Sequence, residues 1–382
     1  MSQQKKLRVL VVDDTVVYRK VVGDALSDLP GVEVVGTASN GKIAMSKIDS
    51  LRPDILTLDI EMPEMSGLDV LKEMKSMAPH VEAIVISTLT HKSGELTMKA
   101  LELGAFDFIT KPEKGCMEEN RKEIKRAIAP MLKAFCRHKE IKDILKGNSS
   151  GSETKINRRS STVNGIMERM RTIAGKKRVK AEIIGIGVST GGPRALADML
   201  PMIPSDFSVP ILIVQHMPPI FTKSLAMNLD SKCAFDVKEA VDGEPVKGNT
   251  ALIAPGGKQM KVAAGADGTS RIIRITDDPP ENSCRPSVDY LFRSIARYYV
   301  GRSTGVIMTG MGSDGTQGLK LMKRSGSYII AQNEETCVVY GMPKEPIEIG
   351  LVDAVVPLER IASEIYYSVN GVYFREKALG NS

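Results

Sequence analysis

The sequence predicts an α/β protein with two domains, and three observations carry this prediction. Apolar strand patterns alternate with helical patterns from Leu7 to about Ile144, and a second alternation runs from Glu182 to about Phe374. Such alternation is typical of parallel sheets with helices on both faces. Between the two regions, residues 133–180 contain fourteen Lys or Arg against four Asp or Glu and many Ser, Asn and Gly residues, which predicts a solvated basic linker.

The amino-acid composition indicates the cellular compartment in which the protein is expected. The 382 residues are 42% hydrophobic, enough for two or three cores, and no apolar stretch approaches the roughly 20 residues that cross a bilayer. The polar start, Met1–Lys6, does not resemble a signal peptide. The five scattered cysteines have no C-x-x-C spacing and are predicted to be reduced thiols, with neither a zinc site nor disulfides. We therefore expect a cytoplasmic protein without membrane insertion.

The first region contains five apolar runs, and we expect them to form a five-stranded parallel sheet. The runs are Leu7–Val12, Val32–Ala38, Ile55–Leu58, Ala83–Ile86 and Phe106–Ile109. Helical stretches separate them, so each connection crosses over a face of the sheet. Ligands of such sheets bind beyond the carboxyl ends of the strands.

Charged and polar residues follow these strand ends. Asp13 and Asp14 follow the first strand, Asp59 the third, Ser87 the fourth and Lys111 the fifth. Three converging carboxylates repel one another unless a hard divalent cation lies among them, which indicates Mg²⁺. One carboxylate can then accept a phosphoryl group, while the lysine pairs with its charge and the serine hydroxyl bonds an oxygen. Any single Asp at a strand end could instead cap a helix.

The strand and helix patterns of the second region predict a doubly wound, mainly parallel sheet with an antiparallel hairpin beside it. Its parallel strands are expected at Ile183–Gly187, Ile211–Val214, Val306–Thr309, Tyr328–Ala331 and Val352–Val356. Hairpin strands are expected at Thr250–Ile253, Lys258–Ala264 and Ile272–Ile275, because Gly-rich turns separate them. Helices are expected at Pro193–Leu200 and from Pro286 to near Val300.

The stretch Gly185–Gly192 reads G-I-G-V-S-T-G-G directly after an apolar run. A strand that turns through glycines into a helix places Ser189 at the edge of the sheet, as a nucleophile elbow does, and such a bend can also hold a phosphate. A dinucleotide site would need an acidic residue after the next strand, but that strand, Val209–Val214, leads to His216. A tight turn with an idle serine is the structural alternative.

His216 is the one histidine of the second region, because the others are His80, His91 and His138. It is therefore the expected base for Ser189, with Asp314, at the tip of a second glycine-rich bend, to orient the ring. Backbone N–H groups near Met311 or Thr190 would stabilise the oxyanion. Alternatively, Asp314 caps the helix that follows it and His216 is a core residue.

Residues 6–130 resemble the receiver domain of two-component response regulators. The matching residues are Asp13-Asp14, Asp59, Met62-Pro63, Gly67, Ser87 and Thr110-Lys111-Pro112. The resemblance implies a flavodoxin-like fold and phosphorylation of Asp59 by a histidine kinase, with Mg²⁺ held by Asp13, Asp14 and Asp59. The phosphoryl group would be contacted by Ser87 and Lys111, and its presence would be transmitted by Ser87, Lys111 and Phe108. Phe108 takes the place of the family's usual switch aromatic. The Lys111–Pro112 bond would be cis.

The complete order of motifs resembles the chemotaxis protein-glutamate methylesterases. The motifs are Ser189–Pro193, Gln215–Pro218, Cys284–Asp289, Thr309–Gly315 and Gly341–Lys344. The resemblance implies a receiver domain at 1–130, a linker at 131–180 and a serine methylesterase domain at 181–375, with Ser189, His216 and Asp314 as the triad and Met311 at the oxyanion. It implies phosphorylation-activated hydrolysis of glutamate γ-methyl esters, and glutamine deamidation, on the cytoplasmic domains of chemoreceptors, without a cofactor for the esterase.

Three alternatives remain open at this point. The basic linker is compatible with a response regulator that binds DNA or a partner protein, although no helix-turn-helix pattern is present and the low aromatic content, 4%, disfavours nucleic acid. The same esterase could act on a methylated or amidated protein outside chemotaxis. The loop Gly185–Gly192 could bind a nucleotide, although the acidic partner is missing.

Overall fold

In the computed structural model, which describes residues 6–147 and 180–373, the first domain is a five-stranded parallel sheet with the strand order β2-β1-β3-β4-β5. Its strands are β1 (Leu7–Val12), β2 (Val32–Ala38), β3 (Ile55–Asp59), β4 (Glu82–Ser87) and β5 (Asp107–Thr110). Its helices are α1 (Val16–Ser27), α2 (Gly41–Leu51), α3 (Gly67–Met77), α4 (His91–Glu102) and α5 (Met117–Gly147). The order reverses beside β1, so a crevice opens at the carboxyl ends of β1 and β3. This flavodoxin-like architecture is the predicted one.

Polar residues begin three of these helices. The Asn40 side chain accepts a hydrogen bond from an amide in the first turn of α2, and Ser66 and Thr90 do the same for α3 and α4. Each cap satisfies a backbone N–H that has no partner inside the helix, which is worth about 1 kcal/mol. The caps therefore fix where the helices begin, and with them the loops that border the crevice.

The second domain is a seven-stranded sheet with the order β14-β13-β12-β6-β7-β9-β8, and all of its pairs are parallel. Its strands are β6 (Ile183–Val188), β7 (Ile211–Gln215), β8 (Asp236–Glu239), β9 (Thr250–Ile253), β12 (Ser303–Ile307), β13 (Tyr328–Gln332) and β14 (Ala354–Val356). A separate antiparallel hairpin consists of β10 (Gln259–Ala264) and β11 (Arg271–Thr276). The mainly parallel sheet with a hairpin is confirmed.

Six further helices cover the second sheet. They are α6 (Gly192–Met199), α7 (Phe221–Asp230), α8 (Val288–Tyr298), α9 (Thr316–Arg324), α10 (Lys344–Glu348) and α11 (Leu358–Asn370), with a short 3₁₀ turn at Leu200–Met202. The helices predicted near Pro193 and Pro286 are present as α6 and α8. No helix within 6–147 or 180–373 is long and apolar enough to cross a membrane.

One strand prediction was wrong. Thr250–Ile253 does not belong to the hairpin; it is β9, which pairs in parallel with Ile211–Gln215 and with Asp236–Glu239. Three of its four residues are buried, as expected for a short apolar strand inside a parallel sheet. The edge strand Asp236–Glu239 was not predicted, because four mostly charged residues give little strand signal and charge is common at sheet edges.

Helix α5 continues the first domain beyond residue 130. It runs to Gly147, and its Leu132 and Phe135 side chains are buried in the core of the first domain. The Phe135 ring lies edge-on to Phe106, with 5.8 Å between ring centroids. The start of the predicted linker is therefore helical, and the rest of it, 148–179, lies outside the described residues.

The two domains pack against each other through α4 and β5 of the first and α7 of the second. Phe108 contacts Phe221, with ring centroids 4.6 Å apart. Glu102 accepts a hydrogen bond of 2.9 Å from Asn228 and forms an ion pair with Lys232. The first domain therefore lies against the helix that follows β7 in the second domain.

Candidate active site

Ser189 lies directly after β6, and two glycines, one in the bend after it and one in the strand before it, leave room for close packing. Gly191 has a φ of +75°, and a Cβ there would meet Val338 at 2.6 Å. A Cβ at Gly187 would meet Val288 at 2.4 Å. The bend therefore brings Ser189, which is half-buried, to the carboxyl end of the sheet with α6 directly behind it.

His216 follows the neighbouring strand β7. Its backbone N–H donates to Val188 O over 3.1 Å, which continues the pairing of the two strands. The Gln215 side chain donates to the carbonyl oxygens of Ser189 and His216 at 3.0 and 3.1 Å. These bonds hold the serine bend and the histidine loop in fixed positions relative to each other.

Asp314 is buried and accepts a 2.8 Å hydrogen bond from His216 Nε2. Its oxygens also accept bonds from Asn282 Nδ2, Ser287 Oγ and the backbone N–H groups of Val288 and Asp289. Burial alone would raise the pKa of Asp314, but the bonds from His216 and its other donors lower this pKa to about 2. Asp314 thus does not cap the helix that follows it; it lies at the N-terminus of α8.

The second ring nitrogen of His216, Nδ1, is not bonded to Asp314 and lies near Cys284. Nδ1 lies 3.7 Å from the sulfur of Cys284, and Ser189 forms no direct hydrogen bond to the ring among the residues the structure describes. Burial alone would lower the pKa of His216, but its contacts with Asp314 and Cys284 raise this pKa to about 9. These two contacts therefore favour the protonated form of the ring.

Ser189 and His216 line one cavity of about 250 Å³ whose opposite wall belongs to the first domain. That wall consists of residues from β5 and α5: Asp107, Phe108, Ile109, Thr110, Ala127 and Met131. The Asp107 carboxyl is hydrogen-bonded to the Thr190 hydroxyl, and burial raises the pKa of Asp107 to about 7. The first domain thus covers the serine and histidine of the second.

The two predicted oxyanion positions flank Ser189. Thr190 follows it in the bend and is buried, with its carbonyl accepting from Thr309 Oγ1 at 3.0 Å. Met311 follows Gly310, where an added Cβ would meet Ser189 Cβ at 2.7 Å. The loop that carries Met311 therefore passes close to the serine, and the assignment of the oxyanion donors remains a prediction.

A second constellation lies at the carboxyl ends of β1, β3 and β5. Asp13, Asp14 and Asp59 each place a carboxylate oxygen within 4.8 Å of the others. Lys111 Nζ lies 2.8 Å from Asp13 Oδ2 and 2.7 Å from Asp59 Oδ2. Burial raises the pKa of Asp59 to about 6, against the opposing effect of Lys111. Three clustered carboxylates, oxygen donors only, fit a hard cation such as Mg²⁺.

The remaining predicted residues of this constellation are also described. Ser87 is buried and accepts a 2.8 Å hydrogen bond from Thr97 Oγ1. Phe108 is turned toward the second domain, where it contacts Phe221. The expectation of a cis Lys111–Pro112 bond was wrong: within the described ranges the cis bond is Arg285–Pro286.

Comparison with known proteins shows the family to which the chain belongs. A model described as CheB methylesterase matches residues 184–365, and one described as response regulator receiver domain matches residues 9–119. The protein-glutamate methylesterase/protein-glutamine glutaminase of Desulfotalea psychrophila is 52% identical over 367 residues, 96% of this chain and 99% of that protein. The chain belongs to this family. The Bacillus subtilis member is 40% identical over 360 residues, 94% of this chain and 98% of that protein.

Solved structures of methylesterase family members are also similar to parts of the chain. The Thermotoga maritima CheB methylesterase catalytic domain is 44% identical and covers 49% of this chain and 98% of its own, with a TM-score of 0.47. The response regulator domain of Thermotoga maritima CheB is 38% identical and covers 35% of this chain and 95% of its own, with a TM-score of 0.30. As a methylesterase family member, the chain is a carboxylic ester hydrolase of the chemotaxis two-component class, with a receiver domain.

Sequence reasoning missed several residues that hold this methylesterase site together. Asn282, Cys284 and Ser287 contact Asp314 or His216. The stretch Cys284–Ser287 stood out in the sequence as a helix start, but nothing in its spacing indicates a contact with His216, 68 residues earlier. The Asp107–Thr190 bond between the domains also had no sequence signal.

Proposed function

We propose that this chain hydrolyses glutamate γ-methyl esters, and deamidates glutamines, on the cytoplasmic domains of chemoreceptors, and that phosphorylation of its receiver domain activates it. The observation that carries the proposal is the position of His216. Its ring is bonded to buried Asp314 on one side and lines the cavity of Ser189 on the other. The named activities of the full-length relatives support the substrate class.

The proposed reaction uses Ser189 as nucleophile. Its oxygen attacks the ester carbonyl carbon while His216 Nδ1, the ring nitrogen not bonded to Asp314, accepts the hydroxyl proton. N–H groups at Thr190 or Met311 would bind the oxyanion. The imidazolium then protonates the leaving methoxide, methanol departs, and water hydrolyses the acyl-enzyme with His216 again as base. A glutamine would release ammonia in the same step.

Regulation follows from the cover over this cavity. In the resting arrangement β5 and α5 of the receiver domain form its opposite wall, so a receptor helix cannot reach Ser189. Asp59 is the proposed phosphorylation site, with a histidine kinase as donor. Mg²⁺, held by Asp13, Asp14 and Asp59, would neutralise charge during phosphorylation. A phosphoryl group on Asp59 would compete for Lys111 and for Ser87, which lies on the strand adjacent to β5, and would favour separation of the domains.

The test of the proposal is methanol release from methylated receptor. We expect Ser189→Ala to lose at least 10³-fold of the wild-type rate, since removal of a triad member leaves only residual catalysis. Ser205→Ala, at an exposed position of the same domain, is the matched control and should keep the wild-type rate. Equal methanol release by Ser189→Ala and the wild type would remove Ser189 from the site.

A further inference from the structure

Cys284 contacts His216 in a way that the proposed reaction does not use. Its half-buried sulfur lies 3.7 Å from His216 Nδ1 and 3.4 Å from the carbonyl oxygen of Asn282. A ligand atom of His216, the sulfur of Cys284 and an oxygen of Asp314 all lie within 4.8 Å of one another. Imidazole nitrogen and thiolate sulfur are the ligands that zinc prefers in proteins.

The separation of these two atoms fits a zinc ion between them. Zinc binds imidazole nitrogen at about 2.0–2.1 Å and thiolate sulfur at about 2.3 Å, so tetrahedral bonding holds the two atoms roughly 3.6 Å apart. The distance between His216 Nδ1 and Cys284 Sγ is 3.7 Å. An ion could therefore replace the present contact with little movement of either side chain, and its binding would release the proton of Nδ1 and the thiol proton of Cys284 to water.

Asp314 provides the orientation that such a ligand needs. Its carboxylate already accepts bonds from four other residues, so it is not free to become a ligand itself. It does accept the 2.8 Å hydrogen bond from His216 Nε2, which directs Nδ1 toward Cys284. A carboxylate on the far nitrogen is the usual partner of a histidine that binds metal, and it raises the basicity of the ligand.

We propose that His216 Nδ1 and Cys284 Sγ form an inhibitory zinc site, completed by water on the side of the cavity. The inhibition rests on the proposed function, because it requires His216 to be the base for Ser189. A zinc ion on Nδ1 occupies the lone pair that would accept the serine proton. Mg²⁺ prefers oxygen ligands and would not compete here.

The first test measures metal binding without reference to activity. Co²⁺ is titrated into the full-length chain, and the thiolate-to-cobalt absorption band is followed and then displaced by Zn²⁺. The wild type and the control Cys116→Ser, at an exposed receiver thiol, should show the band. Cys284→Ala, Cys284→Ser and His216→Gln should weaken Co²⁺ binding at least about tenfold, the size of effect seen even for outer-shell partners.

Two results of this titration would overturn the metal site. One is a wild-type chain without a thiolate band; the other is a band that persists in both Cys284 variants. Circular dichroism of each variant shows whether loss of the cobalt–thiolate band reflects unfolding. Two different substitutions of Cys284 are used so that the test remains possible if one of the variants does not fold. The cluster of Asp13, Asp14 and Asp59 contains no thiol, so Co²⁺ bound there would give no thiolate band and the two centres are distinguishable.

The second test compares each variant's methanol release with and without Zn²⁺, relative to its own metal-free rate. Zinc should lower the rates of the wild type and Cys116→Ser at least tenfold and that of Cys284→Ala less than twofold. Equal inhibition of the wild type and Cys284→Ala would overturn the proposal. A cobalt–thiolate band in the wild type without zinc inhibition would support the metal site, overturn the inhibition, and remove His216 as the base.

Discussion

At the scale of single residues, the His216–Asp314 pair determines both charge and orientation at the site. Asp314 accepts bonds from four other residues besides His216, and these keep it ionised; its carboxylate in turn keeps a proton on the imidazole. The pKa of His216, raised to about 9, makes the ring a poor base in the covered arrangement. Asp314 therefore raises the proton affinity of the ring as well as fixing its orientation.

Asp314→Asn tests the role of the carboxylate. An amide cannot hold the same ring tautomer or stabilise the imidazolium, so we expect the rate of methanol release to fall about 10³–10⁴-fold. The pKa of His216 should fall at the same time, because burial then acts without the opposing carboxylate. An NMR titration of the His216 ring measures this second effect. An unchanged rate together with a lowered pKa would contradict the orienting role.

The raised pKa of His216 also predicts how stability depends on pH. Its folded value is about 9 and its ordinary value 6.5, so the protonated ring is favoured in the folded state. This contribution is fully present below pH 6.5 and is lost as the pH rises through 9. The difference in thermal midpoint between the wild type and His216→Gln should therefore shrink from pH 6.5 to pH 9; a difference that grows would contradict the assignment.

At the scale of elements, apolar contact dominates the packing of α4 and β5 against α7. Phe221 is fully buried and Phe108 nearly so, and complete burial of such a side chain is worth about 1.5–3 kcal/mol. In the ion pair between Glu102 and Lys232, each side chain is about one third exposed to solvent. Exposed ion pairs contribute roughly 0–1 kcal/mol to stability. The aromatic pair should therefore determine how tightly the receiver domain covers the cavity.

Phe108→Ala should weaken the cover more than Glu102→Gln does. We expect the first substitution to raise methanol release in the absence of a phosphodonor several-fold, because the phenyl ring no longer bridges the domains. Glu102→Gln, which removes only the charge, should change this rate less than twofold. Rates of both variants without phosphodonor provide the measurement, and a larger effect of Glu102→Gln would reverse the energetic ranking.

At the scale of the whole molecule, Asp59 and Ser189 lie in different domains, and within the described residues these domains contact each other through α4, β5 and α7. Asp59→Asn should keep the low basal rate but lose stimulation by a small phosphodonor. In zinc-free solution, removal of Mg²⁺ by a chelator should likewise abolish stimulation of the wild type and leave the basal rate, since only the receiver carboxylates are expected to need the ion. Strong stimulation of Asp59→Asn would refute this route of activation.

Sequence patterns predicted most of the architecture because the buried parallel strands are continuous apolar runs; β1 and β9 begin and end where the runs do. They missed β8, which is short and charged, and they assigned β9 to the hairpin, because pairing partners distant in sequence leave no local signal. Ser189, His216 and Asp314 could be selected because strand ends share one edge of a sheet. The contact of His216 with Cys284 could not, since it depends on the path of a loop.

The contact between the domains includes one buried carboxyl group. Asp107 is buried against Thr190, with its pKa raised to about 7 from 3.8. Once uncovered, this acid would return toward its ordinary pKa of 3.8, so opening of the domains would release protons to water at pH values between 3.8 and about 7. Within this range, lower pH would therefore favour the covered arrangement and higher pH would weaken it.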